Sequence, residues 1–332
     1  MPGELDDLIE AADMNGLLRA VDGLCTAREW DALIDLADKC EAALERGKQL
    51  WPIADHIDYR LALEAPGDIA ASVLGNESSR FALGPLTEVA ASTHKWVELA
   101  DHIELPQSAA FVVQERVLRG EVLDDDPRAH EEILDLPLHL EQWEPTYALA
   151  TYRSNVVEVA EPWTPKSPLV PVELEPGASE LDEEELIDAL LDLVTPWVSE
   201  SNGAARAVVV EGDARAAISC LTFESARMGE LSGQEAMQRV AWAAASGGAH
   251  GRRRGAALGR SLAWYLVGML GDLTWPASPV ATRDSLQALS WFYWDEGAPE
   301  EGWALRIAVE DRTHGWAAAI AATDLLEDEE EL

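Results

Sequence analysis

The sequence predicts a mainly α protein: an N-terminal irregular α-α helical array, followed by a smaller α+β domain with a short antiparallel sheet. Three observations lead there. Apolar residues recur at helical spacing through the first 120 residues. Prolines crowd the middle, eight of seventeen lying between Pro127 and Pro176. The last third mixes helical stripes with β-branched and aromatic runs bounded by turn residues. These give four segments: a helical-repeat-like domain at 1–120, a proline-rich connector at 121–178, an α+β domain at 179–326, and an acidic tail at 327–332.

In the array, Thr26 and Glu29 have capping-box spacing before a stripe of Trp30, Leu33, Ile34, Ala37, Cys40 and Leu44. Gly47 reads as its stop. Pro52 suits the first turn of a second helix bearing Ile53, Ile57 and Leu61, which Ala65-Pro66-Gly67 breaks. Short helices are expected near 68–74, 85–92, 94–103 and 107–119. Ala54-Asp55-His56-Ile57 recurs as Ala100-Asp101-His102-Ile103, a 46-residue spacing that fits a helical-hairpin repeat. Trp51 and Trp96 precede the two copies. His56 and His102 lack H-x-x-x-H spacing, so hydrogen bonding between helices explains them better than a metal.

In the connector, Val156–Ala160 and Leu169–Leu174 look extended, and their prolines restrict them to a sheet edge. Beyond it, Ser179 is placed to cap a helix through Leu181, Leu186, Leu190 and Val194. Arg206–Glu211 reads as a strand. Ser232 and Glu235 form a second capping box, opening a helix to about residue 246. A further helix is expected over 252–270, with Leu258, Leu262, Leu266 and Met269 on one side. Trp291–Trp294 and Trp303–Glu310 read as strands. Ala-rich 316–322 can be strand or helix. Val208–Gly212 and Ile307–Asp311 look like equivalent strand-turn units.

Charge narrows the function. Sixty-two carboxylates against twenty-four bases give a net charge of −38. Such a chain repels nucleic-acid phosphate and anionic membrane, so neither is an expected partner. No apolar run approaches the ~18 residues needed to span a bilayer. The acidic start lacks a signal core, and three cysteines without C-x-x-C spacing suggest a reducing, cytoplasmic setting. Thirteen Trp are core anchors or groove linings. No P-loop, dinucleotide fingerprint, serine-hydrolase elbow or zinc motif occurs, so no cofactor and no metal are implied.

One segment can carry chemistry. Residues 247–260 concentrate four of the twenty arginines with five glycines and a histidine, between two expected helices. Arg252, Arg253, Arg254 and Arg260 can neutralise an anion, and Gly247, Gly248 and Gly251 can let it approach the backbone. His250 can add a hydrogen bond or transfer a proton. Alternatively, each arginine pairs with one of the many carboxylates, because consecutive helical residues splay by about 100°.

The run Trp242-Ala-Ala-Ala-Ser-Gly-Gly-Ala-His-Gly-Arg-Arg-Arg-Gly resembles a signature in an uncharacterised set of conserved actinobacterial proteins. Trp303-Ala-Leu-Arg-Ile-Ala-Val-Glu-Asp adds to the similarity, which covers about the last 100 residues. That resemblance implies no activity and transfers no catalytic residue. Two functions therefore stand: a non-catalytic interaction or scaffold protein with a protein partner, or an enzyme or sensor for a small anionic, phosphate-containing ligand at 247–260.

Overall fold

The computed structural model describes residues 2–75, 82–160, 167–174, 177–222, 225–297 and 302–325. The acidic tail expected at 327–332 lies outside the described residues. The chain forms two compact units, Met1–Ile133 with Ala150–Val159, and Leu134–Leu149 with Ala160–Leu332. The proline-rich stretch is divided between them, and the second unit is the larger.

The first unit is helical. It contains α1 (Pro2–Ala11), α2 (Met14–Ala27), α3 (Trp30–Ala42), α4 (Trp51–Glu64), α5 (Gly67–Ser72), α6 (Leu86–Thr93), α7 (Trp96–Leu99) and α8 (Pro106–Leu118). Asp13 caps α2, its Oδ1 accepting from the Gly16 N–H at 2.9 Å. Thr26 is not a cap. It lies in the last turn of α2, a helix whose buried stripe of Leu17, Val21 and Cys25 leads up to it, and its hydroxyl donates to the Asp22 carbonyl at 2.8 Å. Left-handed Arg28 ends α2, so α3 begins at Trp30 with no side-chain cap.

Pro52 and Pro106 sit in the first turns of α4 and α8, and Gly47 stops the preceding turn with φ 76°. Helix α4 buries more than one stripe. From Ile53 to Leu63 only His56 is partly exposed, so Asp55, Asp58 and Arg60 are buried as well. Arg60 pairs with Asp22 at 2.5 Å and Glu64 at 2.7 Å. His56 stacks on Tyr59, with ring centroids 6.1 Å apart. The four-residue echo does not mark equivalent helices. Its first copy is mid-α4, while the second forms the turn after the single-turn α7.

A hairpin of β1 (Ala150–Arg153) and β2 (Val156–Val159) completes this unit. Tyr152 donates to Glu88 Oε2 on α6 at 2.7 Å, and Tyr59 on α4 donates to the Arg153 carbonyl.

The second unit runs β3 (Val170–Val172), α9 (Glu184–Asp192), α10 (Thr195–Ser199), β4 (Ala204–Glu211), α11 (Ala214–Ser219), β5 (Ala226–Leu231), α12 (Gly233–Ala245), α13 (Ala256–Leu270), α14 (Pro279–Ala288), β6 (Ser290–Asp295), β7 (Trp303–Asp311) and β8 (Trp316–Asp324). The expected short sheet is in fact six antiparallel strands in the order β3-β5-β6-β7-β8-β4, two of them nine residues long. The proline-bearing strand β3 is an edge, as its missing donor requires.

Ala-rich β8 is a strand because β4 and β7 pair with it on both sides, which overrides alanine's helix preference. Val208 and Ile307 sit opposite adjacent β8 residues, Ala319 and Ile320. Their strands continue differently, β4 into α11 and β7 into the turn before β8, so they are not equivalent units.

Directly opposed residues share a face. Phe292, Ala308, Ala319 and Val208 form one row, against which Ala214, Ala217 and Ile218 of α11 pack. Tyr293 lies on the other face, with Arg239 of α12 over its ring at 4.5 Å. Trp96, Trp197, Trp264 and Trp294 are fully buried.

Two helix expectations change here. Ser179 does not cap α9. Its carbonyl accepts from the Glu211 N–H at 2.9 Å, and Leu181 N–H donates to Val209 at 2.8 Å, so this segment satisfies the outer edge of β4. Helix α13 starts at Ala256, and its buried side carries Arg260, Ala263, Trp264 and Val267, while Leu258, Leu262 and Met269 are only partly buried. No described helix is long and apolar enough to cross a membrane.

Candidate functional site

Two regions hold the residues with most to say about function, and each belongs to one unit. The first is the loop between α12 and α13. The Ser232–Glu235 capping box starts α12: Ser232 N–H donates to Glu235 Oε2 at 2.9 Å, and Glu235 N–H donates to Ser232 Oγ at 3.2 Å. The helix ends at Ala245, whose carbonyl accepts from both Arg254 N–H at 2.8 Å and Gly255 N–H at 3.2 Å. The chain between therefore closes on itself. A Cβ on Gly247 would lie 2.1 Å from the Gly251 carbonyl oxygen, and one on Gly251 would lie 2.2 Å from that of Gly247. Gly248 has φ 75°, a left-handed conformation that suits glycine. The loop's own packing thus accounts for these glycines.

Its main-chain donors meet carboxylates of the same unit. Asp324, fully buried at the end of β8, accepts from Ala249 N–H at 2.5 Å and from the Ser201 hydroxyl at 2.9 Å. That hydroxyl accepts from His250 N–H at 3.2 Å. Glu200 Oε2 accepts from Arg252 N–H at 3.0 Å. Arg254 donates to the Asp192 carbonyl at 2.6 Å. Burial pulls the Arg254 pKa down, while the Asp192 and Glu200 charges oppose that shift. Arg253 is half-buried, and His250 and Arg252 are exposed.

Arg260 sits apart from that loop, inside α13. It is fully buried against Glu144, with Nε and Nη2 reaching the two carboxylate oxygens at 2.8 and 2.7 Å. Its remaining donors reach the Pro137 and His139 carbonyls at 3.1 and 3.0 Å. Glu144 also accepts from Tyr147 at 2.6 Å, Trp264 at 2.9 Å and the Glu141 N–H at 2.9 Å. Burial raises the Glu144 pKa, but the Arg260 guanidinium and these donors outweigh it and hold the carboxyl below its usual range. The pair is charged and saturated, and it fixes the 137–147 segment to α13.

The second region is a groove of about 680 Å³ among α1, α2 and α3. Its apolar lining includes Leu5, Leu8, Ala20, Gly23, Leu24 and Ala27, and Glu4, Arg19, Glu29 and Asp35 stand among its polar residues. Lys39, also in the lining, is held by Asp35 at 3.0 Å and Asp6 at 3.2 Å. A pocket of about 380 Å³ bearing Trp30 and Ile69 shares Glu29 and Ala32 with this groove. Sequence reasoning missed this region. The signal was there: Leu5, Leu8 and Ile9 have helical spacing, but the acidic residues between them masked it.

An open cleft of about 690 Å³ lies on the β3-β5-β6 part of the sheet, floored by Met228 and Phe292. At its rim Glu310 accepts from Arg312 Nε at 2.9 Å. Among the described residues, 247–260 line neither the groove, the pocket beside it nor this cleft. No group of three or more His, Cys, Asp or Glu among the described residues is placed to hold a metal ion. Burial pushes the Cys25 and Cys40 thiols up to about 11, which keeps both protonated at neutral pH.

One protein-family model matches, over residues 15–325; its description is a family of unknown function (DUF6183). No curated protein and no solved structure matches the chain.

Proposed function

Because the chain belongs to that family of unknown function, which carries no activity to transfer, we propose from its own chemistry that it is a non-catalytic interaction protein of the cytoplasm. It presents acidic surfaces to a protein partner. The observation that carries this reading is where the concentrated positive charge goes. The loop at 247–254 directs its main-chain donors to Asp324, Glu200 and Ser201, the Arg254 guanidinium reaches the Asp192 carbonyl, and that of Arg260 pairs with the Glu144 carboxylate. With those cations engaged internally, the net charge of −38 governs what the surface attracts. A complementary partner is basic, and long-range attraction to it weakens with salt.

In-cell chemical crosslinking of the full chain, followed by mass spectrometry, tests this. One recurrent protein crosslinked to acidic surface positions is expected, and its complex should loosen as ionic strength rises. Recovery of the chain alone at low salt would sink the reading.

A small anionic ligand at 247–260 is the second reading, favoured by the exposed side chains of His250 and Arg252. It requires a thermal shift with inorganic phosphate or a nucleotide that disappears in Arg253→Ala.

A further inference from the structure

We infer that the α1–α3 groove docks a basic amphipathic helix of the partner; this rests on the interaction reading above. The groove is large enough for side chains, at about 680 Å³, and its lining is apolar along α1 and α2. The charged lining is mixed, Glu4, Glu29 and Asp35 with Arg19 and Lys39, and the chain that builds the groove is acidic. Residues 2–47 hold twelve carboxylates and four bases. Two of those bases, Lys39 and Arg46, are already paired with Asp6, Asp35 and Glu10. An occupant with a leucine-like face and lysine or arginine flanks complements both features.

The walls also select the occupant's backbone. They are helices, whose main-chain N–H and C=O groups bond within each helix, so an extended peptide finds no edge to pair with. A helix carries its own hydrogen bonds and can fill the groove with side chains alone.

Gly23 supports the same occupant independently. A glycine inside a helix costs about 1 kcal/mol relative to alanine. Gly16 on α2 has an internal reason, since a Cβ there would lie 2.6 Å from Leu8. Gly23 has none: a Cβ there meets nothing within 4 Å, and the residue is exposed within the groove. Close approach of a second backbone from outside is a use for that missing side chain.

Fluorescence anisotropy of a labelled Leu/Lys amphipathic peptide, about 18 residues or ~27 Å as a helix, tests the inference on the full chain. A scrambled peptide of identical composition controls for attraction by net charge alone. The ordered peptide should bind at least about tenfold more tightly than the scrambled one. Gly23→Trp fills the groove while improving helix propensity, so it should abolish that preference without lowering Tm. Ala27→Trp, on the exposed end of the same wall, should do the same and covers the case in which Gly23→Trp misfolds. Equal binding of both peptides, or an undiminished preference in the folded variants, overturns the inference. Failure here alongside a partner crosslinked to other surfaces leaves the interaction reading standing, whereas absence of any partner removes both.

Discussion

The α12–α13 loop and the α1–α3 groove invert each other. The loop is rich in arginine, glycine and histidine, and its chemistry turns inward. Gly247 and Gly251 make room for one another, Asp324 gathers Ala249 and Ser201, and Arg254 reaches a carbonyl. The groove is built from leucine, alanine and acidic residues, with its concave side outward. Gly23 there leaves space that no side chain of the same unit fills. The difference teaches that concentrated charge in a sequence need not mark an open site: Arg260 meets its counter-charge in Glu144, and the loop's main-chain donors meet Asp324 and Glu200. Concavity depends on how helices cross and carries no such compositional flag.

The comparison can be broken most forcefully at Glu144. Replacing it with Gln leaves Arg260 buried without its counter-charge, and a loss of about 3–5 kcal/mol is expected in urea unfolding. Replacing both, as Glu144→Leu with Arg260→Met, should recover much of that loss, since a buried pair roughly breaks even against apolar packing.

The same pair sharpens the comparison through pH. The folded-state pKa of Glu144 lies below that of the unfolded chain. Its stabilisation is therefore complete above the unfolded value of about 4.3, and is lost as pH falls through the folded value. The urea midpoint should drop on acidification in the wild type, and less steeply in Glu144→Gln. Equal slopes would mean that Glu144 is not held charged.

At Asp324 the effect is smaller. Alanine there strips acceptors from Ala249 N–H and the Ser201 hydroxyl, and about 1–3 kcal/mol should be lost. Hydrogen exchange at Ala249 should accelerate in the same variant. If neither changes, the loop does not turn inward as described.

Gly23→Ala works in the opposite direction. It should stabilise α2 by about 1 kcal/mol and raise Tm by a few degrees in calorimetry. A fall in Tm would show that the space over Gly23 is occupied within the chain. The smallest effect belongs to Arg253→Ala: wild type and variant should respond alike to inorganic phosphate in a thermal-shift assay. A phosphate response that requires Arg253 would move the site from groove to loop.

Much of the architecture was legible where local chemistry decides it. Ser232 with Glu235, Pro52 and Gly47 act at helix ends through contacts a few residues away, and each performs the expected task. Thr26 and Ser179 carry equally good capping chemistry and do something else. For Thr26 the helix α2 continues to Ala27 and its hydroxyl turns back to the Asp22 carbonyl, and for Ser179 the edge of β4 needs partners. The four-residue echo misled because identical tetrapeptides fall in a helix and in a turn. At the site, 247–260 was recognisable as a place where anions gather, but the identity of the anions was not. Asp324, Glu200 and Glu144 lie 75, 52 and 116 residues from the groups they meet.

Taken by itself, the amino-acid order determined the acidic surface, the helical character of the first 120 residues, the strands near the C-terminus and the presence of a cationic cluster. These follow from composition, period and neighbours within a few residues. Tertiary structure alone decided that the Ala-rich 316–324 segment is a strand, that Arg260 is sealed against Glu144, and that α1–α3 leave a groove. Pairing on both sides of β8, the partner of a buried charge and the crossing of three helices all depend on residues brought together from distant positions. Propensity and spacing hold no record of those meetings.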